Sequence, residues 1–166
     1  IGESLQYELK GLALSDLTSR QGATTPGRKL GGNVVQMSSC STRYLIGLGA
    51  VLGLLSVLAG ALGVHALRDT LDPGALNTFQ TATSSQMYHA LALVLTGLLV
   101  DRWPSRMLVT AGWLFTAGVV VFCGSLYILA LTGIGIFGAV APVGGASLMG
   151  GWGLLILSAF TSRKAG

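Results

Sequence analysis

The chain has 166 residues, ten Lys and Arg against six Asp and Glu, a net charge of +4 and a mean hydropathy of +0.69. With 51% hydrophobic and only 10% charged residues, this composition excludes an ordinary soluble domain. The basic residues are scattered along the flanks of apolar segments and do not form the patch that a nucleic-acid binder needs. Cys40 and Cys123 lie far apart and offer neither a disulfide framework nor a metal-ligand spacing, and no apolar run precedes Cys40 as a lipoprotein signal would require.

Residues 1–36 mix Glu3, Glu8 and Asp16 with Lys10, Arg20, Arg28 and Lys29 and hold no apolar run long enough to cross a membrane. Met37 stands just ahead of the first apolar segment, where a natural start is expected. Residues 1–36 are therefore expected to be a disordered upstream extension foreign to the native chain, and residues 37–166 a membrane domain. An organelle targeting peptide is the other reading of this stretch, and its three acidic residues count against it.

From Tyr44 to Phe160 the only charged residues are Arg68, Asp69, Asp72, Asp101, Arg102 and Arg106, all within two short connectors. Charge is costly in hydrocarbon, so its absence marks what the bilayer covers. The pattern predicts an all-α polytopic protein with four transmembrane helices in a bundle. The first span runs over 44–67, roughly 36 Å of helix, with Arg43 and Tyr44 as a basic and aromatic pair at its start. Asp72 and Pro73 form an N-cap and first-turn pair, so helix two begins near 73, with its span over 81–100. Its first half is polar, with Asn77, Gln80, Thr81, Ser84 and Ser85, and is expected to project from the membrane or lie along its surface. Spans three and four are placed at 107–131 and 143–160.

Counting Lys and Arg in the short flanks sets Arg43, Arg102, Arg106, Arg163 and Lys164 on one side and Arg68 alone on the other. Both termini are thus expected to be cytoplasmic, or in the matrix of an organelle. Gly133-Ile-Gly135-Ile-Phe-Gly138 matches a dinucleotide fingerprint in letters alone. No strand precedes it and no acidic residue follows Asp101, so it reads as an uncharged loop between spans three and four.

Small residues recur at helix-packing spacing. Gly49, Gly53, Gly60 and Gly63 lie in span one, Gly112 and Gly124 in span three, and Gly151 in span four. Lipid tails are as apolar as leucine, so membrane helices associate by close backbone approach, which these residues permit. They serve either one bundle or the contact between copies, and one chain leaves both open.

His65 and His89 are the only ionisable groups within or at the edge of the spans that suggest haem, a metal or a proton relay. Straight helices place them roughly 14 Å apart along the membrane normal, too far to share one ligand. They are expected instead to be structural, each with a polar partner. By depth, Ser56 and Ser147 fall near His89, while Tyr127, Ser125 and Gln86 fall toward His65.

Four ordered motifs then carry a resemblance: Leu58-Ala-Gly-Ala-Leu-Gly-Val-His-Ala-Leu67, Met87-Tyr-His-Ala-Leu-Ala-Leu93, Phe122-Cys-Gly-Ser-Leu-Tyr-Ile-Leu-Ala-Leu-Thr-Gly133, and Ala141-Pro-Val-Gly-Gly145 with Gly151-Trp152. Over about Arg43 to Phe160 the chain resembles the small YgdD-like membrane proteins (domain of unknown function 423), which include a vertebrate transmembrane relative. Val64 stands where that family usually has alanine and Cys123 where it tends to have serine or threonine. The resemblance implies four helices in a bacterial inner membrane, or a mitochondrial setting in a eukaryote, and it brings no catalytic residues.

The expected function is accordingly a non-catalytic packing or assembly protein of the lipid bilayer, with no cofactor, acting as a homo-oligomer or within a larger membrane complex. A small transporter or proton-coupled carrier using His89 is the alternative, and a haem or quinone protein a third reading. Enzyme chemistry is not expected, since the spans supply no acid and base together.

Overall fold

The computed structural model describes residues 29–161, with side chains from Ser41 onward. They form α1 (Lys29–His65), α2 (Pro73–Arg102), α3 (Arg106–Thr132) and α4 (Ile136–Thr161), with no strand among the described residues. The disorder expected for residues 1–36 falls, for 1–28, outside the described residues. Residues 29–36, by contrast, are helical and belong to the first turns of α1.

Local chemistry sets the ends. Asp72 sits in extended backbone, and its Oδ1 accepts from the N–H groups of Gly74 at 2.8 Å and Ala75 at 3.1 Å, with Pro73 opening α2. Ser105 caps α3 by accepting from the Met107 N–H at 3.2 Å. Gly133 closes α3 at φ 69°, a left-handed conformation that glycine adopts without strain, and its N–H bonds the Leu129 carbonyl. At the end of α1 the chain departs from regular geometry at His65, two residues before the expected end of the span. There the Leu67 N–H reaches the carbonyl of Leu62, five residues back.

The expected loop before span four is the main correction. It shrinks to 133–135, and α4 begins at Ile136 with Pro142 inside it. Proline removes one backbone donor and crowds the carbonyl four residues earlier, here that of Gly138, which carries no side chain to add to the crowding. Continuing the helix through Pro142 loses one hydrogen bond, whereas an irregular stretch against lipid would lose several.

Three of the four helices are long and apolar enough to cross a membrane: residues Ser41–His65, Arg106–Thr132 and Ile136–Thr161. Only a minority of the residues in their apolar windows are buried inside the bundle, and Leu54, Leu58, Val120, Met149 and Phe160 are exposed. This is the reverse of a soluble bundle and suits a lipid surround. Helix α2, with 30 residues, has the length, but its polar first half dilutes its hydropathy. That half does not splay away from the bundle. Its Phe79, Ala82 and Gln86 are buried and packed inward.

Close approach of backbones holds the bundle. A Cβ added at Gly49 would meet Val94 and the Ala90 carbonyl at 2.7 and 2.8 Å, and one at Gly97 would meet Ile46 at 2.7 Å, so α1 and α2 nest through reciprocal glycines. Gly112 takes Leu45 of α1 against α3. Gly118 and Gly151 take Leu148 and Phe115 across the α3–α4 contact, and at Gly144 the two backbones come nearer still, its Cβ position overlapping the Phe122 main chain. Because Thr42, Leu45 and Ile46 meet Gly97 and Gly112, the end of the bundle that carries Arg43 also carries Arg102 and Arg106. Gly53, Gly60 and Gly63 lie in ordinary or snug contact with α2. Gly124, grouped above with the packing glycines, faces open space with nothing within 4 Å.

Candidate functional site: two polar clusters within the bundle

Hydroxyl and amide groups on three helices meet in one cluster. The Gln86 Nε2 of α2 donates to the Leu52 carbonyl of α1 at 2.8 Å, while its Oε1 accepts from the Tyr127 hydroxyl of α3 at 2.9 Å. The Tyr127 oxygen also lies 3.3 Å from the Thr83 hydroxyl, which in turn donates to the Phe79 carbonyl. Ser56 of α1 donates to the Thr83 carbonyl at 2.8 Å. The Phe79 ring lies against Tyr127 with centroids 5.0 Å apart, and Gly63 leaves room for it on the α1 side. Every one of these polar groups has a protein partner, as burial in an apolar medium demands.

Because α1, α2 and α3 are tied through the Gln86 amide, its loss should be felt by Tyr127. Gln86→Leu and Tyr127→Phe are expected each to destabilise the fold by about 1–2 kcal/mol, with about 1 kcal/mol of the two losses shared. A double-mutant cycle of reversible unfolding in mixed micelles measures it, and strictly additive losses would show that the Tyr127–Gln86 bond contributes nothing.

The second cluster joins α2, α3 and α4. His89 Nδ1 lies 2.8 Å from the Ser85 carbonyl, an acceptor only, so Nδ1 carries the proton. Its Nε2 is then the acceptor for the Trp152 indole N–H of α4 at 3.3 Å. The imidazole, the Phe115 ring and the Trp152 ring pack in mutual contact, Phe115–Trp152 edge-to-face at 5.3 Å and His89–Phe115 at 5.9 Å. This arrangement engages both ring nitrogens of His89. The Ser85 hydroxyl stands 3.5 Å from Nδ1 and also lines an open hollow on the outer surface of α2.

The sequence-derived candidates divide between these clusters and other places. Ser56 and Tyr127 belong to the first cluster and His89 to the second. Ser147 donates to the Leu114 carbonyl at 2.8 Å and so fastens α4 to α3, and Ser125 bonds back to the Phe122 carbonyl of its own helix. His65 is exposed at the last residue of α1, belongs to neither cluster and has no side-chain hydrogen bond among the described residues, so the polar partner expected for it is not found. The partners that depth assigned to His89, Ser56 and Ser147, are replaced by Ser85 and Trp152. Depth ranks residues along the normal and says nothing of which way each helix face points. Sequence reasoning overlooked Thr83 and Trp152. Trp152 carried a usable signal, because an indole well inside a span, away from the interfacial belts, must find an acceptor for its N–H. Among the described residues no three His, Cys, Asp or Glu gather as metal ligands do.

Helices with outward apolar faces, packed through glycine and tied by inward polar groups, define an integral membrane protein of helical-bundle type. The chain belongs to the protein family of unknown function DUF423, whose family model matches residues 59–145, so the resemblance read from the four motifs is borne out. It is similar to the UPF0382 membrane protein SH2409 of Staphylococcus haemolyticus, 43% identical over 118 residues that cover 71% of this chain and 96% of that one. The UPF0382 membrane protein YwdK of Bacillus subtilis is 40% identical over 118 residues, 70% of this chain and 96% of its own length. No solved structure matches the chain.

Proposed function

We propose that this is a non-catalytic packing and assembly protein of the bacterial plasma membrane, with four transmembrane helices and both termini in the cytoplasm. One observation carries the reading. Ser56, Gln86, His89, Tyr127 and Ser147, which point into the bundle, each bond a group of the fold itself; the buried Thr42 hydroxyl is left without a partner, and among the described residues no free acid and base face a common space. Inward polarity in this chain specifies helix contacts, and what remains for other molecules is the outward surface. The orientation is supported by the clustering of Arg43, Arg102 and Arg106 at one end of the bundle, since basic flanks stay on the cytoplasmic side. The fourth span is supported by α2, whose second half from Ala90 to Val100 is apolar and packed between the other helices.

The test is a deletion strain whose membrane complexes are separated on native gels. At least one complex should migrate faster or disappear and return on complementation, and unchanged migration of every complex would count decisively against assembly. A second reading, a small carrier, is favoured by one feature: Ser85 both touches His89 and lines the outer hollow, which offers a polar approach to mid-membrane. For the assembly protein, His89→Ala should lower thermal stability in detergent and leave ion and proton fluxes of vesicles unchanged. A lost flux in a variant that still folds would favour the carrier.

A further inference from the structure

The outward face of α2 carries Asn77, Gln80, Thr81, Ser84, Ser85 and Tyr88 at helical spacing, three turns and roughly 16 Å tall. All but Ser85 are exposed, and with Phe122 of α3 they line an open hollow of about 530 Å³. Thr81 bonds back to its own helix, while the side chains of Asn77, Gln80 and Ser84 have no hydrogen-bond partner among the described residues.

Contacts across the bundle fix the depth of this stripe. Gly63 of α1 abuts Phe79 and Ser56 bonds the Thr83 carbonyl, so residues 56–63 of α1 are level with residues 79–83 of α2. At that level α1 presents Val57, Leu58 and Leu62 outward, and α3, beside Tyr127, presents Ile128 and Leu131. A bilayer that covers these apolar side chains also covers the polar stripe as far out as Gln80. Amides and hydroxyls left bare at that depth are penalised, so another surface must meet them.

We infer that this stripe is where two copies of the chain pair in the membrane, α2 against α2. The inference rests on the assembly reading above and names its partner. Every copy inserts in the same orientation, so two α2 helices in contact run parallel about a two-fold axis along the membrane normal, and each level meets its own copy. Amides and hydroxyls donate and accept equally, so like meets like without repulsion, which charged side chains could not do. Below the stripe the same face continues as exposed Leu91, Leu95 and Leu98, which would meet their own copies. Parallel pairing is thus the arrangement that sets polar against polar and leucine against leucine, and the hollow beside Phe122 has room for side chains of the second helix. A lipid headgroup layer is roughly 6 Å thick, too short to cover three turns.

Disulfide trapping in native membranes tests this on the full chain with Cys40→Ser and Cys123→Ser as background. Ser84→Cys should give a disulfide-linked dimer on mild oxidation, and Leu58→Cys and Val120→Cys, on other exposed faces, should not. Independently, the triple change Asn77→Leu, Gln80→Leu, Ser84→Leu alters exposed side chains only and should lower the dimer fraction in native mass spectrometry by roughly tenfold, as the loss of a few interhelical hydrogen bonds predicts. If Ser84→Cys links a different protein instead, self-pairing is overturned while the assembly reading stands. If it links no protein and the chain leaves its membrane as a monomer, both are overturned.

Discussion

Replacing Gly144 by alanine should cost about 3 kcal/mol of stability, the upper end of what one added methyl does to a packed core. In α4 a Cβ at residue 144 would clash with the Phe122 main chain of α3, and backbone cannot swing aside as a side-chain tip can. The helices must separate there, and with them go Gly118 against Leu148 and the Ser147 bond to the Leu114 carbonyl, which need the same close spacing. The comparison is Gly124→Ala in α3. Nothing lies within 4 Å of that position, so the methyl meets only lipid, and alanine's better helix propensity should leave stability unchanged or raised by about 0.5–1 kcal/mol. The same chemical change is therefore expected to have opposite signs on two neighbouring helices. Unfolding of the two variants in mixed micelles measures both, and equal tolerance of alanine at 144 and 124 would mean that α3 and α4 do not approach this closely.

That contrast also marks what could be read from the chain before its fold. Asp72-Pro73 announces the start of α2 because an N-cap is a local device, complete within four residues. The membrane character and the family were equally legible, the first from the absence of charge over long stretches, the second from four motifs in order. The start of α4 was not. Pro142 and a run of glycines carry the marks of a loop in water, but in lipid the backbone has no water to turn to and the helix runs on. Misplacing that start hid Gly144, which lay at the edge of the expected span, from the packing glycines. Spacing groups Gly124 with them, because spacing identifies a small residue and not the direction it faces.

Azimuth, the rotation of each helix about its axis, accounts for the remaining errors at the candidate site. Depth alone pairs Ser56 and Ser147 with His89. Each in fact bonds a carbonyl of the helix it packs against, and the histidine turns to Trp152, 63 residues away. Depth follows from counting residues at a constant rise, whereas azimuth depends on which faces nest, and so on all the side chains at once. The polar half of α2 shows both sides of this. Its inward members Thr83 and Gln86 bind the bundle together, while Asn77, Gln80 and Ser84 on the opposite face leave it the surface best suited to another helix.

Phe115→Ala is expected to be the other strongly damaging change, at about 3–5 kcal/mol. Phe115 is fully buried at mid-span of α3, where its ring lies between His89 of α2 and Trp152 of α4 and against the bare backbone of Gly151. Removing it opens a cavity where three helices meet, and lipid chains cannot reach it to fill the void. Val120→Ala removes apolar volume from an exposed position on the same helix, where lipid takes its place, and should cost little. The ring is also the wall that holds the Trp152 N–H toward His89 Nε2, so its loss should free the imidazole from the indole. Nitrogen-15 spectra of the histidine ring report this directly: the Nε2 resonance should move in Phe115→Ala and stay in Phe115→Leu, which keeps most of the volume. A stable Phe115→Ala variant with an unmoved Nε2 resonance would show that the His89–Trp152 contact stands without the phenyl ring, and that α2 and α4 are joined by some other means.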